Sequence, residues 1–307
     1  MTKLSCCTVS NVCVSLILST LLLGTTCVSS NGEPGNDSTD GVVVSHYSRP
    51  LGVMHVFFDT ISPEQRFTAM TDEDDRALLQ FWKQAWEEAG WEPRVLTLQD
   101  AKRHPLYESF QYDLETLHMD EFGKLSLLRW LAMAASGGGW LVDYDAFPLR
   151  DFRLESMLNN NGELTIYEAV APILVSGSAD AWLDTAKFLL EDAKRSSSCH
   201  PNQGKLTFWT DTLGLLNAWH HPNCTLHVEK QVLDGRKAIQ DKPLTSDDCD
   251  KKPFRGKRVV HFGYWTMLEA PLSPDLRLPR HRLTVAKEWL PKWIATCNTT
   301  GSSSIKN

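Results

Sequence analysis

The sequence contains none of the short motifs that identify the most common nucleotide and hydrolase sites. No GxGxxG run follows a predicted strand and no GxxxxGK(S/T) loop is present, so standard dinucleotide and P-loop sites are absent. A GxSxG nucleophile elbow and an HExxH zinc helix are missing as well. The cysteines form no CxxC pair, so a structural zinc site is not expected.

The sequence also has no basic domain and no basic face. Its formal net charge is −7 at pH 7. The densest basic cluster, within residues 251–258, follows an acidic run at residues 247–250, which is typical of a solvated loop of mixed charge. We therefore expect no nucleic-acid partner. The 42% of hydrophobic and 22% of charged residues are ordinary globular proportions and exclude disorder for most of the chain.

Charge is almost absent from the first thirty residues, where Lys3 is the only charged side chain. Residues 12–28 are apolar with Ser and Thr interruptions, and the small residues Ser29 and Ser30 follow. This pattern is typical of a secretory signal peptide. An uncleaved signal anchor is the alternative, with residues 12–28 as the membrane anchor, although a spanning helix needs ~20 apolar residues. Either form places the rest of the chain in the ER or Golgi lumen or outside the cell.

The cysteines and the glycosylation triplets agree with that compartment. An even number of cysteines follows the leader, which predicts two disulfides with three pairings open. These residues are Cys199, Cys224, Cys249 and Cys297. Asn-x-Ser/Thr triplets begin at Asn36, Asn223 and Asn298.

Composition and periodicity divide the chain into a leader (residues 1–30), a polar tether (31–49), one folded domain (50–298) and a polar tail (299–307). Strands and helices alternate in the folded domain, which predicts an α/β sheet flanked by helices. Strands are predicted at 53–58, 94–98, 140–142, 164–170 and 259–261. Helices are predicted at 72–89, 121–136, 179–194, 212–219 and 285–293.

Two carboxylates follow the short apolar strand at residues 140–142. Asp143 and Asp145 stand at positions i and i+2, directly after a helix, three glycines and that strand. Ligands of open α/β sheets bind outside the carboxyl ends of the strands. If the chain turns there, the two acids converge on one hard cation such as Mn²⁺ or Mg²⁺. The acid pair alone is a weak signal, because a solvated turn has the same spacing.

The segment from Leu125 to Leu149, LSLLRWLAMAASGGGWLVDYDAFPL, resembles the DxD sugar-binding region of a glycosyltransferase family. That family includes the yeast initiating α-1,6-mannosyltransferase, inositol-phosphoceramide mannosyltransferases and α-1,4-galactosyltransferases. Its pattern is an arginine on a helix, a glycine pair, an apolar strand and Asp-x-Asp. The matching residues here are Arg129, Gly138, Gly139, Asp143 and Asp145. The resemblance covers roughly residues 50–150, and Ser126 stands where the family has an aspartate that helps to hold the donor nucleotide.

The resemblance implies a GT-A fold, in which a Rossmann-like mixed sheet flanked by helices forms a single catalytic domain. It also implies a retaining transfer of a hexose from a GDP- or UDP-hexose to a glycan or glycolipid acceptor, with Mn²⁺ or alternatively Mg²⁺ as cofactor. Asp145 would be the direct metal ligand, and Asp143 would contact the ribose or the sugar and help to hold the metal. Arg129, Gly138 and Gly139 would lie on the donor side.

Four further residues are candidates for the same site. His261, which ends the predicted strand at 259–261, is a third metal ligand by the same resemblance or a histidine at the edge of the core. Trp265 lines the donor or acceptor pocket or belongs to the core. Asp59 follows the first strand, where a nucleotide base would rest, or caps the strand end. Asp211 is a weak acceptor-site candidate or the N-cap of the helix that follows it.

Two other functions remain open from the sequence. The first is a secreted, non-catalytic sugar-binding or interaction protein on a degenerate transferase scaffold, which the departure at Ser126 favours. The second is a hydrolase with two carboxylates. Acids at i and i+2 of an extended strand share one face, which places them too close together to flank a bond unless the backbone turns between them.

Overall fold

The computed structural model describes residues 51–298, apart from residues 63–64, 66–67, 69, 118, 150–157, 169–170, 200–208 and 222–225. These residues belong to the unit that begins at Pro50. The predicted leader, tether and tail and the triplets at Asn36 and Asn223 lie outside the described residues. Within the described part, no helix combines the length and apolar character that crossing a membrane requires.

Strands and helices are mixed along the chain, although β3 to β6 follow one another without an α-helix among the described residues between them. The strands of the described part are β1 (Val53–Phe57), β2 (Glu92–Leu96), β3 (Gly138–Val142), β4 (Ala146–Pro148), β5 (Thr165–Ile166), β6 (Leu174–Ser178), β7 (His227–Val228), β8 (Val232–Asp234) and β9 (Val259–His261). Its α-helices are α1 (Asp72–Glu88), α2 (Leu98–Ala101), α3 (Tyr107–Thr116), α4 (Glu121–Ala135), α5 (Ala179–Cys199), α6 (Asp211–Trp219), α7 (Gly235–Ala238), α8 (Tyr264–Glu269) and α9 (Arg282–Trp293).

Six strands form the main sheet, in the order β2-β1-β3-β6-β5-β7. Strand β1 pairs in parallel with β2 and β3, whereas β6 is antiparallel to β3 and β5. A second sheet of three strands has the order β4-β9-β8. The described part is therefore a mixed α/β structure with a mixed six-stranded sheet between helices, which is compatible with a Rossmann-like fold.

Alternation along β3 divides the interior into two hydrophobic cores. Trp140 and Val142 face a core that contains Trp82 of α1 and Trp293 of α9. Leu141 points to the opposite face, where α4 and α5 pack. A strand that is buried on both faces has no polar alternation, and the sheet is consequently covered by helices on both sides.

Two strands differ from the sequence prediction, and local capping explains the first difference. The second strand is Glu92–Leu96 instead of residues 94–98, because Thr97 and Asp100 form a capping box that starts α2. The strand predicted at 164–170 is limited to Thr165–Ile166. The helix predicted at 72–89 is confirmed, with Thr71 as its N-cap.

A disulfide joins Cys249 to Cys297, which have a sequence separation of 48 residues. This bond is one of the two disulfides that the sequence predicted, and it identifies the partner of Cys249. The side chains of Cys199 and Cys224 lie outside the described residues.

Candidate metal centre

The acidic turn lies at the carboxyl end of β3, where the chain leaves the main sheet. The amide N of Asp143 donates to the carbonyl O of Ile173 at 2.9 Å, as the last rung beside β6. The amide N of Ala146 then donates back to the carbonyl O of Asp143 at 3.0 Å, which closes a tight turn. Because the backbone reverses here, Asp143 and Asp145 turn toward one point instead of standing in an extended row.

Strand β9 brings His261 to this turn. Strands β4 and β9 are antiparallel with Ala146 opposite His261, and the amide N of Phe262 donates to the carbonyl O of Asp145 at 2.9 Å. The Nε2 atom of His261 lies 3.2 Å from Oδ1 of Asp145. One ligand atom from each of Asp143, Asp145 and His261 lies within 4.8 Å of the other two. The structure therefore brings together the three residues predicted as metal ligands.

A glycine makes room for the imidazole. The ring of His261 lies so close to Gly263 that a Cβ atom on Gly263 would overlap it. Gly235 of α7 lies similarly close to the backbone of His261, since a Cβ atom on Gly235 would be 2.6 Å from the carbonyl O of His261. The position of His261 thus depends on two residues that lack side chains.

Arg282, at the start of α9, is a functional residue that the sequence analysis missed. Its Nη1 atom donates to Oδ2 of Asp145 at 2.6 Å, and both side chains are almost completely buried. Its guanidinium also lies over the ring of Tyr144, 5.7 Å from the centroid. Because the helix was predicted to begin at Val285, no local pattern pointed to an arginine three residues earlier.

Arg129 of α4 approaches the turn from the other side. Its Nη1 donates to Oδ1 of Asp143 at 3.2 Å, but two other nitrogens donate to Oδ2 of Asp211, at 2.8 and 2.5 Å. Nε1 of Trp130 donates to the same Asp211 oxygen at 3.0 Å. The N-cap position of α6 belongs to Thr210, so the N-cap alternative for Asp211 is wrong. The Asp211 carboxylate is instead the main partner of Arg129.

Most of the predicted site residues line one cavity of about 580 Å³. They are Asp59, Arg129, Asp143, Asp145, Asp211, His261 and Trp265. Ser126 also lines it, and its hydroxyl donates to the carbonyl O of Phe122 at 2.9 Å. Oδ2 of Asp59 accepts from the amide N of Leu98 at 2.8 Å, so this side chain holds the start of α2 as well as lining the cavity.

Gly138 and Gly139 are not brought to the cavity. They form the first part of β3, with φ angles of +78° and +109° that disfavour other residues. A Cβ atom on Gly138 would lie 2.5 Å from the amide N of Ala179 at the start of α5. Gly138 therefore lets β3 pass close to the end of β6 and the start of α5, whereas a Cβ atom on Gly139 would lie 3.7 Å from the ring of His55, at ordinary contact distance.

A comparison with known protein families identifies a match that includes the acidic turn. A family model for a domain of unknown function (DUF8765) matches residues 42–207. The chain belongs to this family. No curated protein matches the sequence. The DUF8765 match includes the acidic turn and Arg129, whereas His261 and Arg282 lie beyond its end.

The charges around the turn separate the two acids of this DUF8765 member. Burial raises the pKa of Asp143 to about 6, an effect that Arg129 opposes and the charge of Asp145 reinforces. Burial would raise the pKa of Asp145 too, but His261 and Arg282 hold it well below the usual range. The same carboxylates raise the pKa of His261 despite its burial. Asp145 is thus the permanently ionised member of the pair.

The donor set fits a divalent cation. Two carboxylates and an imidazole are ligands that Mn²⁺ accepts. Arg282 engages Oδ2 of Asp145 and Arg129 engages Oδ1 of Asp143, so each arginine acts on only one of the two oxygens of its carboxylate. The second oxygen of Asp145 is the one that lies beside Nε2 of His261.

Proposed function

We propose that this protein is a metal-dependent glycosyltransferase of GT-A type. It transfers a hexose, with retention of configuration, from a GDP- or UDP-hexose to a glycan or glycolipid acceptor in the secretory pathway. The observation that carries the proposal is the convergence of Asp143, Asp145 and His261 at the carboxyl end of β3, inside a cavity lined by the other candidate residues.

The position and the size of the cavity support this function. Open α/β sheets bind their ligands outside the carboxyl ends of the strands, and the acidic turn occupies that place. Small-molecule sites have volumes of roughly 300–1,000 Å³, a range that includes the cavity of about 580 Å³. The resemblance of residues 125–149 to a DxD sugar-binding region is the second support.

Asp143, Asp145 and His261 would hold the cation. A bound Mn²⁺ or Mg²⁺ supplies Lewis-acid stabilisation of the negative charge that develops on a departing diphosphate. The transfer itself breaks the bond between the anomeric carbon and a diphosphate oxygen and forms a bond from that carbon to an acceptor hydroxyl oxygen. The hydroxyl proton passes to the diphosphate.

The two arginines position the carboxylates for this task. Arg282 fixes the side chain of Asp145 by a short charged hydrogen bond in a buried setting, where such bonds are strong. Arg129 places a positive charge on the cavity wall beside Asp143, within reach of an anionic ligand in the same cavity. Asp211 keeps that guanidinium in place through two hydrogen bonds.

One observation favours a non-catalytic sugar-binding protein as the second candidate. Each carboxylate of the turn forms an ion pair with an arginine, Asp143 with Arg129 and Asp145 with Arg282, and Ser126 replaces the nucleotide-binding aspartate of the glycosyltransferase family that the segment resembles. A protein that had lost catalysis would retain these ion pairs as part of its fold. The two candidates differ in their response to nucleotide and metal.

Thermal unfolding of the purified full-length protein with UDP or GDP, with and without Mn²⁺, tests the proposal. A ligand at one hundred times its dissociation constant stabilises the native state by about 2.7 kcal/mol, so we expect the Tm to rise by about 5 °C for a domain of this size. The rise requires Mn²⁺, occurs with one of the two nucleotides and is lost in Asp145→Asn.

The matched control is Asp247→Asn, which removes an exposed carboxylate that lies 3.7 Å from Lys251. This variant keeps the full shift. Cooperative unfolding of the wild type with no shift for either nucleotide would overturn the transferase proposal and favour the second candidate.

A further inference from the structure

Three aromatic side chains at the cavity are exposed, in contrast to the aromatic residues of the two cores. Trp265 is 60% exposed, Phe122 is 45% exposed and Tyr264 is 39% exposed, and all three line the cavity. We call these residues the aromatic rim. A large apolar side chain stabilises the fold by ~2 kcal/mol when it is fully buried. The three exposed aromatic side chains at this opening contribute less stability than they would if they were buried.

The aromatic rim is fixed relative to the metal centre. Helix α8 begins immediately after β9, with Gly263 at its N-cap position and Trp265 in its first turn. Thr266, the next residue, is buried and its hydroxyl donates to the carbonyl O of His261 at 3.3 Å. The rings of Tyr264 and Trp265 meet edge to face, with centroids 5.4 Å apart. The indole face is therefore presented by a short element that is anchored to the third metal ligand.

Two threonines line the same cavity as these rings. They are Thr210 and Thr212, and the side chain of Thr210 makes no capping hydrogen bond to α6. A cavity lined by both aromatic rings and hydroxyl groups suits a ligand that has an apolar face and a polar edge. A pyranose ring has this construction, since its C–H bonds form one face and its hydroxyl groups project from the periphery. A lipid chain has no groups that could form hydrogen bonds with these hydroxyls.

We propose that the aromatic rim is the acceptor subsite, and that it binds a saccharide by stacking one pyranose ring on Trp265. This inference rests on the glycosyltransferase function proposed above and specifies its acceptor as carbohydrate. The metal centre occupies the inner part of the cavity, and the stacked ring lies at its opening, where an acceptor can enter after the donor.

Saturation-transfer NMR on the full-length protein with Mn²⁺ and the nucleotide that shifts the Tm tests this subsite. The probes are methyl α-mannopyranoside, lactose and N,N′-diacetylchitobiose. We expect the wild type to saturate at least one probe, and Trp265→Ala to bind that probe about tenfold more weakly, as the loss of one aromatic contact implies. Trp265→Phe retains most of the binding because it keeps an aromatic face.

Trp219→Ala is the matched control. Trp219 is also an exposed tryptophan, at 50%, but it is not among the residues that line this cavity. The control binds the probe like the wild type. All three variants keep the Mn²⁺-dependent nucleotide shift, which shows that the metal centre and the fold are intact.

The outcomes separate failure of the subsite from failure of the function. No nucleotide shift in the wild type rejects the glycosyltransferase proposal itself. A normal shift with no saccharide signal, or with a signal that Trp265→Ala leaves unchanged, rejects the acceptor subsite alone. Binding of neutral phosphatidylcholine vesicles that Trp265→Ala abolishes, without any saccharide signal, reassigns the rim to a membrane surface.

Discussion

Two arginines flank the acidic turn, and they hold it in different ways. Arg129, in α4, donates hydrogen bonds to Asp211 from two of its nitrogens. Its hydrogen bond to Asp143 is the longest of the three, at 3.2 Å. Arg282 comes from α9 and donates to Asp145 at only 2.6 Å. The first arginine has a carboxylate partner of its own outside the turn, whereas the second commits its charged hydrogen bond to the turn and donates from Nε to the carbonyl O of Pro279 at 3.2 Å.

This difference gives the two acids different freedom. Asp143 shares its arginine with Asp211 and has a pKa raised to about 6, so its carboxylate can change partner or protonation at little cost. Asp145 is fixed by Arg282 and His261. The comparison teaches that an acid whose arginine has no second carboxylate to hold is the more firmly fixed of the two.

We expect the largest effect on stability from removing the disulfide that closes the segment containing Arg282. The loop between Cys249 and Cys297 contains both His261 and Arg282. For a loop of 48 residues, the double variant Cys249→Ala/Cys297→Ala lowers the free energy of unfolding by about 4 kcal/mol in urea. Hydrogen exchange then accelerates more in β9 and α9 than in α4. Equal acceleration in the three elements would contradict the contrast between the two sides.

Removing the committed arginine has the next largest effect. Arg282→Met leaves the Asp145 carboxylate buried without its cation, which costs about 3 kcal/mol of unfolding free energy. Manganese titration calorimetry should show that the metal site is lost with it. Arg282→Lys, which keeps the charge without the forked geometry, serves as the comparison and recovers part of both quantities. A fully stable Arg282→Met variant that binds Mn²⁺ would remove the basis for calling this arginine committed.

Asp211→Asn should have a smaller effect on stability and a minor one on metal binding. The substitution removes the main partner of Arg129 and weakens a buried network, for a loss of about 2 kcal/mol. Arg129 retains Asp143, so Mn²⁺ affinity falls by less than about tenfold. Asp113→Asn breaks a partly exposed pair with Lys194 and is the control, with a loss of about 0.5 kcal/mol. A larger loss of metal affinity in Asp211→Asn than in Arg282→Met would reverse the comparison.

The pH dependence of metal binding should follow Asp143. A carboxylate binds a metal only when it is deprotonated. With its pKa near 6, the ionised fraction of Asp143 falls about tenfold from pH 7 to pH 5, and the apparent Mn²⁺ affinity falls with it. Protonation of His261, whose pKa is raised, acts in the same direction. Asp143→Asn should show a shallower pH profile in the same titration, and an unchanged slope would show that Asp143 is not a ligand.

Local patterns account for the parts of the centre that the sequence predicted. The helix predicted at 72–89, the apolar run of β3 and the acid pair are each encoded within a few neighbouring residues, and the structure has them, with β3 extended to begin at Gly138. The strand that His261 ends was predicted from the local pattern, whereas its place as a candidate ligand came from the resemblance. The glycine run was recognised, but its role was not. Gly138 combines a positive φ angle with a close approach to the start of α5, and no spacing in the sequence reveals that approach.

Pairs that are distant in sequence account for what was missed. Arg282 and Asp145 are separated by 137 positions, and charged residues are rarely expected inside a core. The periodicity of α9 identified its apolar stripe from Val285 onward and therefore passed over the buried arginine at its start. Asp211 was predicted as a weak acceptor-site candidate or an N-cap, and its pairing with Arg129 and Trp130 was missed because its helix was considered without the facing helix.

The short pairing of β4 with β9 has a consequence for how this chain can vary. Only three residue pairs set the register, and Ala146 stands opposite His261. Successive residues of a strand point to opposite faces, so inserting or deleting one residue within Val259–His261 would turn the imidazole away from Asp145. The connection from α7 to β9 is restricted in another way, because it contains Cys249, which is bonded to Cys297, and the buried Phe254. We therefore expect changes in length to be tolerated only in the parts of this connection away from these two residues, and not within the three-residue strand.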